Sequence, residues 1–255
     1  MIFAGKEFHM RWTMRDLVDL GLIGADNART RAYVQLLSAE GYRLHTCYIM
    51  AEDPSLLEKA AAGYVRAEAP PAYFQPEEPI LFTLREASIP YVLISTGSIN
   101  REDTIEIIQA AEESHLIYSG FGGEIIKKTV FNTGKTFIHV HSGILPQYRG
   151  STTIYYSLLQ EGTCGASAII MTPGLDNGDV IADALFHMPP KGISIDYIYD
   201  PFIRAKVLIK AVDSYVKHGA FIGRTQDEQK EVTYFIAHPV LRHIVGLMQD
   251  SEGGT

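Results

Sequence analysis

Apolar and polar positions show no clean period over residues 1–16. Order begins with Leu17-Val18-Asp19-Leu20-Gly21-Leu22-Ile23, which ends on Gly24 and predicts a first strand over 17–23. Ala25-Asp26-Asn27 supplies capping residues, and Tyr33, Leu36 and Leu37 fall at helical spacing, so a helix is expected over Ala28–Ala39, closed by Gly41. A further apolar run predicts a strand over 44–50. Strand, helix and strand in one sheet require parallel strands with a right-handed crossover. This implies an α/β fold whose ligands sit at the carboxyl ends of the strands.

The alternation continues. Pro70, Pro71, Pro76 and Pro79 mark a loop, followed by a short helix over 80–87 and a strand at Tyr91–Ser95. Ile105, Ile107 and Ile108 place a helix over 102–113, and a short strand follows at 116–118. Gly120-Phe121-Gly122-Gly123 reads as a turn, 137–141 as a strand and 166–171 as another. Tyr155 and Tyr156 belong to a helix reaching Gln160, as core and groove wall. Asp200-Pro201 looks like the N-cap and first residue of a helix to about 217, stopped by Gly219. The expected division is an extension at 1–16, a domain at 17–218 and a short C-terminal appendage at 219–255.

Composition narrows the function classes. The formal charge of −8, without a Lys/Arg cluster, argues against a nucleic-acid partner, which needs cations for its phosphates. No apolar run reaches about eighteen residues, and Lys6, Glu7, His9, Arg11 and Arg15 interrupt the N-terminal stretch. No membrane association and a cytoplasmic location are therefore expected. Cys47 and Cys164 sit in separate apolar stretches and read as buried fillers.

The chemistry concentrates in Phe137-Ile138-His139-Val140-His141-Ser142-Gly143-Ile144-Leu145-Pro146. Two histidines at i and i+2, at the end of a strand, share one face and reach one cleft. A second polar cluster, Thr172-Pro173-Gly174-Leu175-Asp176-Asn177-Gly178-Asp179, follows the 166–171 run. If the two strands are adjacent and parallel, Asp176 falls beside the histidines, and a carboxylate next to an imidazole forms a tuned acid/base pair. His-x-His with Asp176 and Asp179 also matches the ligand chemistry of zinc or iron, with His45, His115 or His187 as a further ligand. Arg149 either pairs with a carboxylate or meets a substrate anion.

These two segments resemble the active-site region of the 10-formyltetrahydrofolate-dependent formyltransferases, where an Asn-x-His-x-Ser-Leu-Leu-Pro run precedes a Leu-Asp-x-Gly loop. Here they read His139-Val140-His141-Ser142-Gly143-Ile144-Leu145-Pro146 and Leu175-Asp176-Asn177-Gly178. Asp176 follows His139 by 37 positions (176 − 139), close to the family's separation, and the resemblance spans roughly residues 18–215. It implies a parallel-sheet, Rossmann-like domain that moves a formyl unit from 10-formyltetrahydrofolate to the amine of a small molecule such as an amino sugar, an amino acid or a pathway intermediate. His141 would act on the developing oxyanion and shuttle a proton, with Asp176 orienting it. Phe121, Gly122, Gly123, Ile125, Gly174 and Leu175 would border the folate, with Gly122-Gly123 either a plain turn or a close backbone approach to the pterin. No metal is required on this reading, and a homodimer is compatible with it.

The sequence departs from the pattern at His139, where the family has asparagine, and at Gly143, where it has serine. An imidazole donates through one ring N–H or, when protonated, adds a pH-dependent cation. The missing hydroxyl at Gly143 leaves room for a different turn. Hydrolysis of the formyl donor, metal-dependent hydrolysis through His139, His141 and Asp176, and folate binding without catalysis are the alternatives. About 40 residues follow the 200–217 helix, too few for the tRNA-contacting barrel of the methionyl-tRNA enzyme, so a small acceptor is expected.

Overall fold

Alternating apolar runs and helical segments fold as one sheet with helices on both faces. The computed structural model describes residues 17–66 and 72–252. The expected extension at 1–16, Pro70, Pro71 and the last three residues lie outside these. In chain order the elements are β1 (Leu17–Val18), β2 (Gly21–Ala25), α1 (Ala28–Ala39), β3 (Arg43–Leu44), β4 (Cys47–Ala51), α2 (Pro54–Gly63), α3 (Ile80–Glu86) and β5 (Tyr91–Ser95). Next come α4 (Glu102–Ala110), β6 (His115–Ser119), α5 (Lys128–Phe131), β7 (Thr136–His141), β8 (Arg149–Gly150), α6 (Thr153–Glu161) and β9 (Thr163–Ile170). After β10 (Val180–His187), a π-helical turn at Ile195–Tyr199 leads into α7 (Asp200–His218), then β11 (Thr233–Tyr234) and α8 (Pro239–Glu252).

The central sheet has seven strands in the order β10-β9-β7-β6-β2-β4-β5. From β7 to β5 every pairing is parallel. After β2 the chain builds outward through β4 and β5, then crosses back to β6 and β7 on the other side. The order therefore reverses between β2 and β6, which is where a doubly wound sheet opens a ligand crevice at its carboxyl edge. One face carries α1, α3 and α7, whose Tyr33, Val34, Leu37, Leu84, Val207 and Leu208 are buried against Leu22, Ile49, Ile138 and Val140. On the other face Ile108 of α4 and Val130 of α5 cover Ile23, Tyr48, Tyr118 and Phe137. Both cysteines are buried and unpaired, as expected.

Two expectations are corrected. The 166–171 strand is the longer β9, and it pairs with β7 antiparallel, with His139 opposite Ile169 and His141 opposite Ser167. Gly162 alone, at φ +67, connects α6 to β9, and an apolar run carries no sign of its direction. Asp200 is not an N-cap either. The π-helical turn precedes it and Tyr199 is already helical at φ −74, ψ −46, so the Asp200 carboxylate is free for other partners.

Residues 219–252 pack onto the domain. Arg224 forms an antiparallel bridge to Val180, β11 pairs with β8, and the Gln249 side chain donates to the carbonyls of Pro189, Pro190 and Ile193. No helix among the described residues is long and apolar enough to cross a membrane.

Candidate active site

Alternation along β7 directs Ile138 and Val140 into the α1/α7 side of the core and Phe137 to the opposite side. His139 and His141 share the face of Phe137, as their spacing predicts. The His141 ring is 4% exposed and makes three contacts. Its Nε2 lies 2.6 Å from the carbonyl oxygen of Tyr148 and 3.3 Å from Thr153 Oγ1, and its Nδ1 lies 3.4 Å from Asp176 Oδ2. A carbonyl oxygen only accepts, so Nε2 carries a hydrogen, and Nδ1 is the nitrogen that exchanges a proton. Burial lowers the His141 pKa most, and Arg204 adds to this, while Asp176 and the Tyr148 carbonyl pull it back up. The net direction is down, so the ring is mainly neutral at pH 7 and becomes a donor at Nδ1 only on protonation.

Asp176 reaches His141 although β7 and β9 are antiparallel. Met171 N–H donates to Phe137 O at 2.8 Å, and the chain then turns back over the face of β7 before β10 begins. Asp176 adopts the left-handed region at φ +49, and its Oδ2 accepts from the Gly150 N–H at 3.2 Å.

The Gly143 departure has a steric reason. At φ +154 a Cβ there would meet Tyr148 O at 2.7 Å and Tyr148 Cβ at 2.8 Å, so a serine would push away the carbonyl that holds His141. Ser167 fastens this turn, donating to Gly143 O at 2.8 Å and accepting from Leu145 N–H at 3.1 Å.

His139 stands beside Tyr118, with ring centroids 6.2 Å apart, and its Nδ1 is buried without a hydrogen-bond partner. Burial, then Arg29, Arg204 and His141, push its pKa well below the ordinary histidine value, so the ring is neutral. One ligand atom from each of His139, His141 and Asp176 lies within 4.8 Å of the others, an arrangement that could also hold a metal ion. Asp179 is not in this group, and the further ligands suggested by the sequence are elsewhere. His45 pairs with Glu113 at 2.7 Å, and His115 packs edge-on against Tyr215 and Phe221.

The sequence reading missed a polar layer behind the histidines. Arg204 on α7 donates to Asp200 Oδ1 at 3.0 Å and to the Val140 carbonyl at 3.1 Å, and Ser142 Oγ also donates to Asp200. Arg29, in the first turn of α1, donates to Ser119 Oγ at 3.0 Å and to Gly120 O at 2.8 Å, both neutral acceptors. Arg29 and Asn27 thus span from β2 to the end of β6, across the switch point. A cleft of about 500 Å³ opens there, lined by Asp26, Asn27, Arg29, Gly120, Gly122, Tyr197 and Asp200 among others. The Asp200–Arg204 spacing of i, i+4 on a helix was the one readable signal for this layer. Arg149 takes the carboxylate-pairing option, 2.5 Å from Glu231.

The expected folate residues divide by environment. Phe121, in the β6–α5 loop, and Met171, at the start of the Asp176 loop, both pack against the cluster that holds Tyr118 and Ile126. Ile125 is 78% exposed and Leu175 58%, so each of the two loops carries an apolar side chain on the surface. Gly122 and Gly123 form an open turn in which a Cβ would meet nothing within 4 Å. Gly174 packs tightly on the Asn177 side chain. Tyr118 Oη is buried beside the Glu124 carboxylate, and burial together with that carboxylate raises the Tyr118 pKa, while His139 Nδ1 is buried without a hydrogen-bond partner.

Fold and crevice together define a Rossmann-like α/β domain with a cleft at the carboxyl edge of the sheet. The formyl transferase family model matches residues 58–201, more than half of the chain, and the protein belongs to that family. Methionyl-tRNA formyltransferase of Finegoldia magna is 28% identical over 145 residues, 55% of this chain and 46% of that protein. The chain spans about half the length of the curated relatives it matches. Among solved structures, glycinamide ribonucleotide transformylase 1 from Symbiobacterium toebii shares the fold at a TM-score of 0.56 and 13% identity, over 84% of this chain and 100% of that one. The N-formyltransferase from Helicobacter canadensis, in complex with folinic acid and dTDP-3-aminofucose, aligns at 0.53 and 14% identity, over 86% and 71%.

Proposed function

We propose that the protein transfers a formyl group from 10-formyltetrahydrofolate to the amine of a small molecule. The observation that carries this reading is the His141–Asp176 pair at 3.4 Å, with the unpartnered Nδ1 of His139 beside it. The acceptor amine attacks the formyl carbon, a C–N bond forms, and the carbonyl oxygen becomes an oxyanion. His141 Nδ1, backed by Asp176, takes the proton that the amine loses. Protonated, it donates a hydrogen bond towards the oxyanion and then passes the proton to the departing folate nitrogen as the old C–N bond breaks. His139 stands where the family has an amide and offers a neutral ring atom to the same centre. The loops bearing Phe121, Gly122, Gly123 and Ile125, and Gly174 and Leu175, hold the folate.

Arg29 supports an acidic acceptor. Burial and the nearby Arg204 lower its pKa, its two partners are neutral, and it lines the cleft. A carboxylate or phosphate on the acceptor would give Arg29 a direct charged partner, which the more distant Asp200 does not. The net charge of −8 supports a small molecule over tRNA.

The test is to follow tetrahydrofolate, formylated amine and free formate separately over a panel of acidic and neutral amines. Equal yields of tetrahydrofolate and formyl-amine are expected. Tetrahydrofolate with formate would replace transfer by hydrolysis, and folate binding without turnover would make this a binding protein.

A further inference from the structure

After the family match, which stops at residue 201, the chain passes through a segment that grips the Asp176 loop, with Gln226 as a contact point. This side chain is 7% exposed. Its Nε2 donates to the backbone carbonyl of Asp176 at 2.8 Å and to that of Gly178 at 2.7 Å. Its Oε1 accepts from Arg149 Nη2 at 3.1 Å, so both ends of the amide are used and its orientation is fixed. Both carbonyls belong to a loop in which Asp176, a non-glycine residue, holds a left-handed backbone. Such a backbone is sparsely populated by residues other than glycine and is held by the contacts around it.

The same segment also fixes the other side of the His141 ring. Arg149 N–H donates to Val232 O at 3.0 Å and Ser151 N–H to Tyr234 O at 3.0 Å, while the Tyr148 ring stacks on Tyr234 with centroids 5.5 Å apart. Tyr148 supplies the carbonyl for His141 Nε2, and Gly150 supplies the N–H for the Asp176 carboxylate. Arg224 pairs through its backbone with Val180 at 2.9 Å in both directions, which anchors the segment beside the loop's exit.

We propose that Gln226 is a positioning residue for the reaction, holding Asp176 against His141 Nδ1 from a C-terminal segment that acts as a clasp over the site. The inference rests on the reading of His141 and Asp176 as the proton-handling pair. Gln226 touches neither substrate, and its effect is transmitted through the placement of one carboxylate. A displacement of about 1 Å in such a pair is enough to cost up to a hundredfold in rate.

The test uses the full chain with Gln226→Glu and Gln226→Met. Glu keeps the shape and the acceptor for Arg149 but turns the donor into an oxygen that repels both carbonyls. Met removes the polar contacts at nearly constant volume. In each variant the His141 ring titration, followed by NMR without substrate, should move to lower pH, because Asp176 raises that midpoint and would now be displaced. Turnover should fall roughly tenfold to a hundredfold while KM for the formyl donor stays within about twofold. An unchanged His141 midpoint in both variants would overturn the proposal, even if activity fell. Unfolding of both at 25 °C would also overturn it, making Gln226 a structural prop. The NMR readout needs no turnover, so a wild type that failed to consume the folate donor would refute the proposed reaction while the positioning result stood separately.

Discussion

The Tyr148 carbonyl oxygen takes the hydrogen on His141 Nε2 at 2.6 Å, which leaves Nδ1 as the one nitrogen of that ring able to exchange a proton with Asp176 and a substrate. His141→Ala and Asp176→Asn should therefore each lower turnover by roughly a hundredfold or more, since a proton-transfer or oxyanion group contributes about that much. Circular dichroism and melting curves should remain close to wild type. Near-normal turnover in either variant would place the chemistry in another cleft.

His139 supplies a prediction about pH. Its folded pKa lies well below the ordinary value of 6.5, mainly through burial, so the folded state favours the neutral ring. The stability contributed by that ring is fully present above pH 6.5. It declines as pH falls from 6.5 towards the folded midpoint, because the unfolded chain takes up a proton that the folded chain refuses. His139→Asn does not titrate and should lose less melting temperature than wild type between about pH 7 and about pH 5. It should also retain formyl transfer, since an amide can donate from the same place. Parallel melting curves against pH would show that His139 titrates in the fold as it does in the unfolded chain, as a solvated ring.

Much of this was legible in residue patterns, and the failures have specific causes. The β-α-β opening, the strand carrying His139 and His141, and the adjacency of Asp176 to them follow from periodicity and motif spacing. The route to Asp176 did not: it was inferred from parallel strands, whereas β9 is antiparallel and the loop folds back. The dipeptide Asp-Pro shows why local signals mislead. Asp53-Pro54 caps α2, with Asp53 extended and accepting from Ser55 N–H at 3.0 Å, yet that helix was not predicted. Asp200-Pro201 was read as a cap and is not, because the preceding chain is already helical and the carboxylate serves Arg204 and Ser142 instead. Arg29, Arg204 and Gln226 come from elements distant in sequence and bear on the site only after folding, so no spacing rule could assemble them.

The clustered His139, His141 and Asp176 atoms favour one rival reading, a metal-dependent hydrolase, and it separates cleanly from transfer. On the transfer reading the purified protein should work after exhaustive chelation and carry no stoichiometric zinc or iron by elemental analysis. Activity that disappears with the metal and returns on adding it back would favour the hydrolase, because these side chains would then be ligands rather than proton carriers.

Arg29 bears on which amine is accepted. Its guanidinium is held directly by two neutral acceptors, Ser119 Oγ and Gly120 O, beside a cleft in which Asp200 is the carboxylate close enough to raise its pKa. A ligand carboxylate or phosphate that meets it would gain a charge-assisted hydrogen bond, about twice as strong as a neutral one, in a partly desolvated place. Arg29→Ala should raise KM for acidic acceptors by roughly tenfold to a hundredfold, the range for losing an interaction of about 1.5–3 kcal/mol. KM for the folate donor should change little, because the expected folate residues lie on the β6–α5 and Asp176 loops. Arg29→Lys should recover only part of the loss, since an ammonium cannot keep Ser119 and Gly120 while also presenting two parallel N–H groups to the ligand. The measurement is a matched set of kinetics on acidic and neutral amines of similar size. If Arg29→Ala weakened both classes equally, the residue would be bracing the β2–β6 crevice rather than selecting the acceptor's charge.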